Sequence, residues 1–259
     1  MILGFYLLYL LLPMILLFVG SFGEKWTNTL LPEGFSLHWY INVATDPSFQ
    51  RAFWVSLLVA LATCFLVVVI GLPMAYGMER GKIKKTQFIT RLLHLMPLAA
   101  PPMVVAFGYI ILFSSDAFPY LGTTWLLIMG HVVSTLPYMV QTLIGDIWHL
   151  GLIQLEQAAD SLGARFIQRF LHVVVPTLRH SILSGLFTVA ALSIGEFQLS
   201  NLIAGFLNRT YPIVLLQSFY NASGFACAAT VILLVLSTVA SLLGTGAPTG
   251  TFHERKQAL

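Results

Sequence analysis

Apolar runs of about twenty residues recur along this 259-residue chain, and they constrain its fold more than any other feature. A run of that length crosses the hydrocarbon core of a bilayer as a helix, the form that satisfies its own backbone in lipid. Charged residues make up only 9% of the sequence, against roughly 25% in soluble domains, so water could not solvate a fold of this composition. The expectation is an all-α polytopic membrane protein with six transmembrane helices forming one domain over 1–259.

The first run, MILGFYLLYLLLPMILLFVGSF, lacks a basic leading segment and reads as an uncleaved span. Phe53 to Tyr76 is the second, ending in the basic loop ERGKIKKTQFITR. The third, Leu93 to Phe113, holds Pro97, Pro101 and Pro102 and is expected to be kinked or partly unwound. Thr123 to Ile144 is the fourth, bent near Pro137. Ser181 to Ala204 and Ala226 to Leu243 are the fifth and sixth.

Basic residues set the orientation. Arg80, Lys82, Lys84, Lys85 and Arg91 follow span two, Arg165, Arg169 and Arg179 follow span four, and Arg255 and Lys256 follow span six. Only Lys25, Arg51 and Arg209 of the 13 Lys and Arg lie on the opposite side. The positive-inside rule makes the first side cytoplasmic, with both termini. The basic loop is a topology determinant near anionic lipid and no nucleic-acid patch.

One polar segment in this arrangement is itself helical in pattern. Leu155, Ala158, Ala159 and Leu162 recur at helical spacing, and Glu156, Gln157, Asp160 and Ser161 face the other way. Gly163 breaks the run, and a second amphipathic piece leads to Pro176. An amphipathic connector lying on the membrane surface is the plain interpretation of such a pattern.

The spacing resembles something more specific. Permease subunits of bacterial binding-protein-dependent ABC importers carry E-A-A, three residues, G, nine residues, I-x-L-P in the cytoplasmic loop two spans before the C-terminus. Here Gln157-Ala158-Ala159 stands at E-A-A, Gly163 follows after three residues, and Val173, Val175 and Pro176 follow after nine more. Gln157 departs from the usual Glu, although Glu156 precedes it, and two valines replace Ile and Leu. FSLHWY, GLPMAYGMER and SLGARF are similar to the branch that includes spermidine/putrescine, phosphonate, thiamine and ferric-iron permeases.

The resemblance implies a type I importer permease whose coupling loop, about 148–178, seats in a groove of a cytoplasmic ATPase. Glu156, Gln157, Ala158, Ala159, Asp160, Gly163, Arg165 and Pro176 are its candidate coupling residues. The small alanines permit close helix approach, and the polar side chains offer exchangeable contacts. The implied partners are two ATPase subunits, a second permease subunit (a paralogue rather than a copy), a periplasmic solute-binding protein and the lipid membrane. ATP and magnesium belong to the ATPase. Gly77 to Lys82 has three residues between its glycines where a phosphate loop has four, and Ile83 where Ser or Thr is needed, so this chain has no ATP site and no enzymatic role.

Within the spans, Glu196 lies about 22 Å along the fifth, at 1.5 Å per residue. An intramembrane carboxylate faces a bundle interior or an aqueous path. Glu196, Gln198 and Asn201 are therefore candidate path or gate residues, with a structural hydrogen bond the alternative for Glu196. His131, beside Ser134 and Thr135, is a further candidate, with a packed and hydrogen-bonded histidine the competing role. No histidine pair has zinc-type spacing, and Cys64 and Cys227 sit in apolar runs as small core residues. The expected function is import of a small polar solute (a polyamine, phosphonate, thiamine or metal ion) by alternating access. A secondary transporter or channel is the alternative, but it should show internal repeats or several intramembrane charges.

Overall fold

The structure, a computed structural model, describes residues 2–26, 32–80, 88, 99–220 and 222–245. Most of the basic loop, the start of the third expected span with Pro97, and the tail with Arg255 and Lys256 lie outside the described residues. Among the described residues there are helices and two isolated bridges but no strand.

Helix α1 (Ile2–Phe22) is apolar all round and packs against the last helix. Helix α2 (His38–Thr45) is short, and Trp39 anchors it by donating from Nε1 to the Gly23 carbonyl at 2.8 Å. Asp46 then starts α3 (Pro47–Arg80) as an N-cap. Its carboxylate accepts from the Ser48 and Phe49 amides at 2.8 and 3.0 Å, and Pro47 takes the first position, where no amide is needed.

Helix α3 is longer than a crossing requires. Its 34 residues span about 51 Å, some 20 Å more than the thickness of a hydrocarbon core. Helix α4 (Pro102–Phe113) has only 12 residues. Ala100 and Pro101 are non-helical and Pro102 begins α4, so the expected span, read as kinked or partly unwound, is interrupted at these prolines. Helix α5 (Thr124–His149) runs through Pro137 and is capped by the Thr123 hydroxyl, which accepts from the Leu126 amide at 3.2 Å.

Beyond the turn at Gly151 come α6 (Leu152–Ser161) and α7, which starts at Phe166–Arg169 and continues through a π-turn, Phe170–Val174, to Val175–Thr177. Helix α8 (Arg179–Gly195) is bent 65° from α7. The expected fifth span to Ala204 is corrected here: α8 stops at Gly195, and a separate α9 (Gln198–Ile203) follows. A short 3-10 turn, α10 (Tyr211–Phe219) and α11 (Ser223–Thr245) complete the described chain.

Helices α1, α3 and α5 are long and apolar enough to cross a membrane, and α7 with α8 makes a fourth if the bent pair counts as one. Helix α4 and the apolar part of α11 are shorter. The main core lies where α3, α5 and α8 pack together, with Val59, Val67, Met139, Leu143 and Val189 buried in it. A second cluster, with Phe49, Ala52, Val214 and Ala229, joins α10 and α11 to the start of α3. Tyr211 ties it together: its amide donates to Ser56 Oγ at 2.8 Å and its hydroxyl to the Ala229 carbonyl at 2.9 Å. The loop before α5 meets the end of α9, where a Cβ on Gly205 would lie 2.4 Å from the Gly122 carbonyl oxygen, so backbone packs directly on backbone.

Candidate functional site

The C-terminal end of α3 carries Tyr76 and Arg80, four residues apart and on one face. Against that face lies Glu156 of α6, 1% exposed. Tyr76 donates its hydroxyl to Glu156 Oε1 at 2.6 Å, and one Arg80 nitrogen lies 3.0 Å from the same oxygen. Arg169 of α7 adds Nε at 3.6 Å and also pairs with Asp160. Tyr76 meets Phe170 edge-on at 5.4 Å between ring centroids, and Arg80 lies over the Tyr76 ring. One carboxylate thus gathers three elements.

This reverses part of the sequence expectation. Glu156, read as facing outward with Gln157 and Asp160, faces inward, while Leu155 and Leu162 are 48% and 89% exposed. The physical reason is local. What α6 has to pack against is a tyrosine and two guanidiniums, so a carboxylate is the better inward residue. Gln157, Ala158, Asp160, Gly163, Arg165 and Pro176 are exposed, and Ala159 is half-buried.

Gly163 closes α6 with a defined cap. Its amide donates to the Asp160 carbonyl at 2.9 Å and the next amide, of Ala164, to Ala159 at 3.1 Å, the double bond pattern of a Schellman cap. Its φ of +82° is left-handed, and a Cβ there would meet nothing within 4 Å. Conformation, not space, calls for glycine. Gln168 then reaches back to the Arg165 amide at 2.9 Å to start α7.

The second cluster lies in the bundle interior at the break after α8. Glu196 has extended backbone, and its carboxylate turns onto the start of α9. Oε1 accepts from the Leu199 amide at 2.7 Å, and Oε2 accepts from the Ser200 amide at 2.8 Å and the Ser200 hydroxyl at 2.6 Å. These bonds give the broken backbone the partners that lipid could not. His131 of α5, 1% exposed, sits between Ser193 and Ser200, with Nδ1 and Nε2 each 2.8 Å from a hydroxyl oxygen.

Donor counting orients the chain. Ser200 gives its proton to Glu196, so it accepts from His131 Nε2–H, which leaves Nδ1 to accept from Ser193. His131 and Glu196 are 3.8 Å apart and communicate through Ser200. Gln198 and Asn201 are exposed on α9 and stay outside the cluster. Among the described residues no group of three or more His, Cys, Asp or Glu could hold a metal ion.

Sequence reasoning missed Tyr76, Arg80 as a partner of Glu156, Ser193 and Ser200. Ser193 and Ser200 stand three before and four after Glu196, a spacing that would put all three along one face of an unbroken helix, although here the helix breaks at Glu196.

Comparison with known proteins covers most of this architecture. Residues 67–245 match the family described as binding-protein-dependent transport system inner membrane component. The chain is 24% identical over 234 residues to PhnV of Salmonella typhimurium (strain LT2), named as a candidate 2-aminoethylphosphonate transport system permease protein, covering 90% of this chain and 87% of that one. It is 28% identical over 249 residues to the sulfate transport system permease protein CysW of Escherichia coli (strain K12), covering 89% and 80%. In fold it is similar to a chain of a bacterial ABC transporter involved in the import of the acidic polysaccharide alginate, with a TM-score of 0.71 at 16% identity over 94% of this chain and 90% of that one. With the family match spanning both clusters, the chain belongs to the binding-protein-dependent transport system inner membrane components, the permease subunits of ABC importers.

Proposed function

We propose that this permease forms half of a membrane path for a small oxyanion, driven by ATP hydrolysis on a separate subunit. The observation that carries the coupling is the outward surface of α6 and α7. Leu155, Ala158, Leu162 and Ile167 are exposed beside Gln157, Asp160 and Arg165, a mixed face suited to a reversible protein contact. Two cytoplasmic ATPase subunits, holding ATP and magnesium, dock there. A second permease subunit, a paralogue, completes the path, and a periplasmic solute-binding protein delivers the solute. One solved transporter of this fold is in complex with a pentasaccharide-bound periplasmic protein.

In this reading the whole chain works as a single permease domain, with the coupling loop at about 148–178 and both termini in the cytoplasm. The names of the relatives, for 2-aminoethylphosphonate and sulfate, support an oxyanion substrate. The Glu196 carboxylate, engaged by two amides and a hydroxyl, is not free to bind a cation, which supports it too. Gln198 and Asn201, exposed on α9, are the path contacts, and Glu196 and His131 hold them from behind.

The test is affinity purification of the tagged permease expressed with its genomic neighbours, followed by uptake of labelled 2-aminoethylphosphonate and sulfate. An ATPase subunit should co-purify, and Gly163→Leu should abolish uptake. A preparation without ATPase, with uptake intact in Gly163→Leu, overturns the reading.

A further inference from the structure

We infer that Glu156 is a positioning residue that fastens α6 to the end of α3, so that displacement of α6 is carried into the bundle and does not dissipate at its glycines. The inference rests on the importer reading for the source of the displacement. Helix α6 is flanked by Gly151 and Gly163, with φ of +60° and +82°, so neither end is a rigid continuation of a neighbouring helix. Its attachment must come from side chains, and Leu152 and Glu156 are its two buried residues. Leu152 packs into the core without direction; Glu156 makes a directed joint.

The chemistry suits a joint that transmits both push and pull. A phenol at 2.6 Å and a guanidinium at 3.0 Å on one carboxylate oxygen are charge-assisted contacts, short and directional. Both donors belong to α3, which runs about 51 Å and packs on α5 and α8. Arg169 brings α7 to the same oxygen at 3.6 Å, so the two helices of the insert move with α3 as one body. With Glu156 1% exposed, a partner approaching the insert meets Leu155, Ala158 and Leu162 and not the carboxylate.

The experiment is hydrogen exchange on the co-purified transporter in lipid nanodiscs, nucleotide-free and trapped with ATP and vanadate, comparing wild type with Glu156→Ala, Glu156→Gln and Tyr76→Phe. In Glu156→Ala the α6 amides should exchange about tenfold faster in the nucleotide-free state. The ATPase should still co-purify, and trapping should still protect α6. The trapping-dependent change in α3 and α8 should be lost. Glu156→Gln, which keeps an acceptor for Tyr76, and Tyr76→Phe, which keeps the ring contacts, should fall between, and both remain informative should Glu156→Ala fail to fold.

Unchanged α6 exchange in Glu156→Ala overturns the joint, and so does a persisting response in α3 and α8. Loss of the ATPase from Glu156→Ala makes Glu156 a docking residue and also overturns it. The nucleotide-free arm needs no ATPase, so a failed joint is distinguishable from a failed importer reading. A wild-type permease that binds no ATPase at all overturns both.

Discussion

Two largely buried carboxylates solve the same problem in opposite ways. Glu196 is satisfied by its own chain, through the amides of Leu199 and Ser200 and the Ser200 hydroxyl. Glu156 is satisfied by other elements, Tyr76 and Arg80 on α3 and Arg169 on α7. A carboxylate bonded locally sets a backbone shape, here the end of α8 and the beginning of α9. A carboxylate bonded across elements sets a relation between bodies that move. The first should act on stability, the second on coupling.

That division is broken most directly at Glu196. Glu196→Ala leaves two amides and a hydroxyl without an acceptor where water is scarce, at about 1–3 kcal/mol for each unsatisfied group. It should give the largest loss in thermal stability of any single substitution in the two clusters, measured on purified permease in detergent. Glu156→Ala should cost less, about 2 kcal/mol, because Arg80 is 35% exposed and its guanidinium can turn to water. If Glu156→Ala proves the more destabilising, the contrast between a shape-setting and a coupling carboxylate fails.

Gly163→Ala tests the insert without touching either carboxylate. An L-residue at a φ of +82° costs about 1–2 kcal/mol, with no clash to add because the space around it is open. Gly163→Asn should be milder, since Asn tolerates the left-handed region. Both should show as a graded loss of ATPase co-purification with the core unfolding nearly unchanged. Equal losses for Ala and Asn would mean that bulk, not conformation, is what position 163 excludes.

Much of this was legible in the sequence, and the failures share a cause. The all-helical fold and the turn at Gly163 follow from local composition and spacing, whereas of the six spans expected only three, or four with the bent pair, are long and apolar enough among the described residues. Inward and outward on α6 were misassigned because the usual apolar-inward pattern presumes an apolar surface to pack on, and α3 offers Tyr76 and Arg80 there instead. The fifth span was drawn too long for a similar reason. Apolar residues continue past Glu196, and hydropathy does not register that a carboxylate can bond amides three and four residues ahead and end one helix to begin another. Pro101 and Pro102 did what their chemistry dictates: the chain is non-helical at Ala100 and Pro101, and Pro102 begins the next helix.

The direction of the proton chain at His131 gives the finest test of the local cluster. Ser193 donates to Nδ1 and does nothing else in the chain, whereas Ser200 accepts from Nε2–H and donates to Glu196. Ser193→Ala therefore removes one hydrogen bond, worth about 0.5–1.5 kcal/mol, and leaves a ring nitrogen as an unpaired acceptor. Ser200→Ala removes two and leaves both the His131 N–H and a carboxylate oxygen short of a partner, so it should cost about twice as much. Thermal unfolding of the two variants side by side reads the ratio. A larger loss in Ser193→Ala would mean that the proton sits on Nδ1, that Ser200 does not link His131 to Glu196, and that the two groups are neighbours without being a chain.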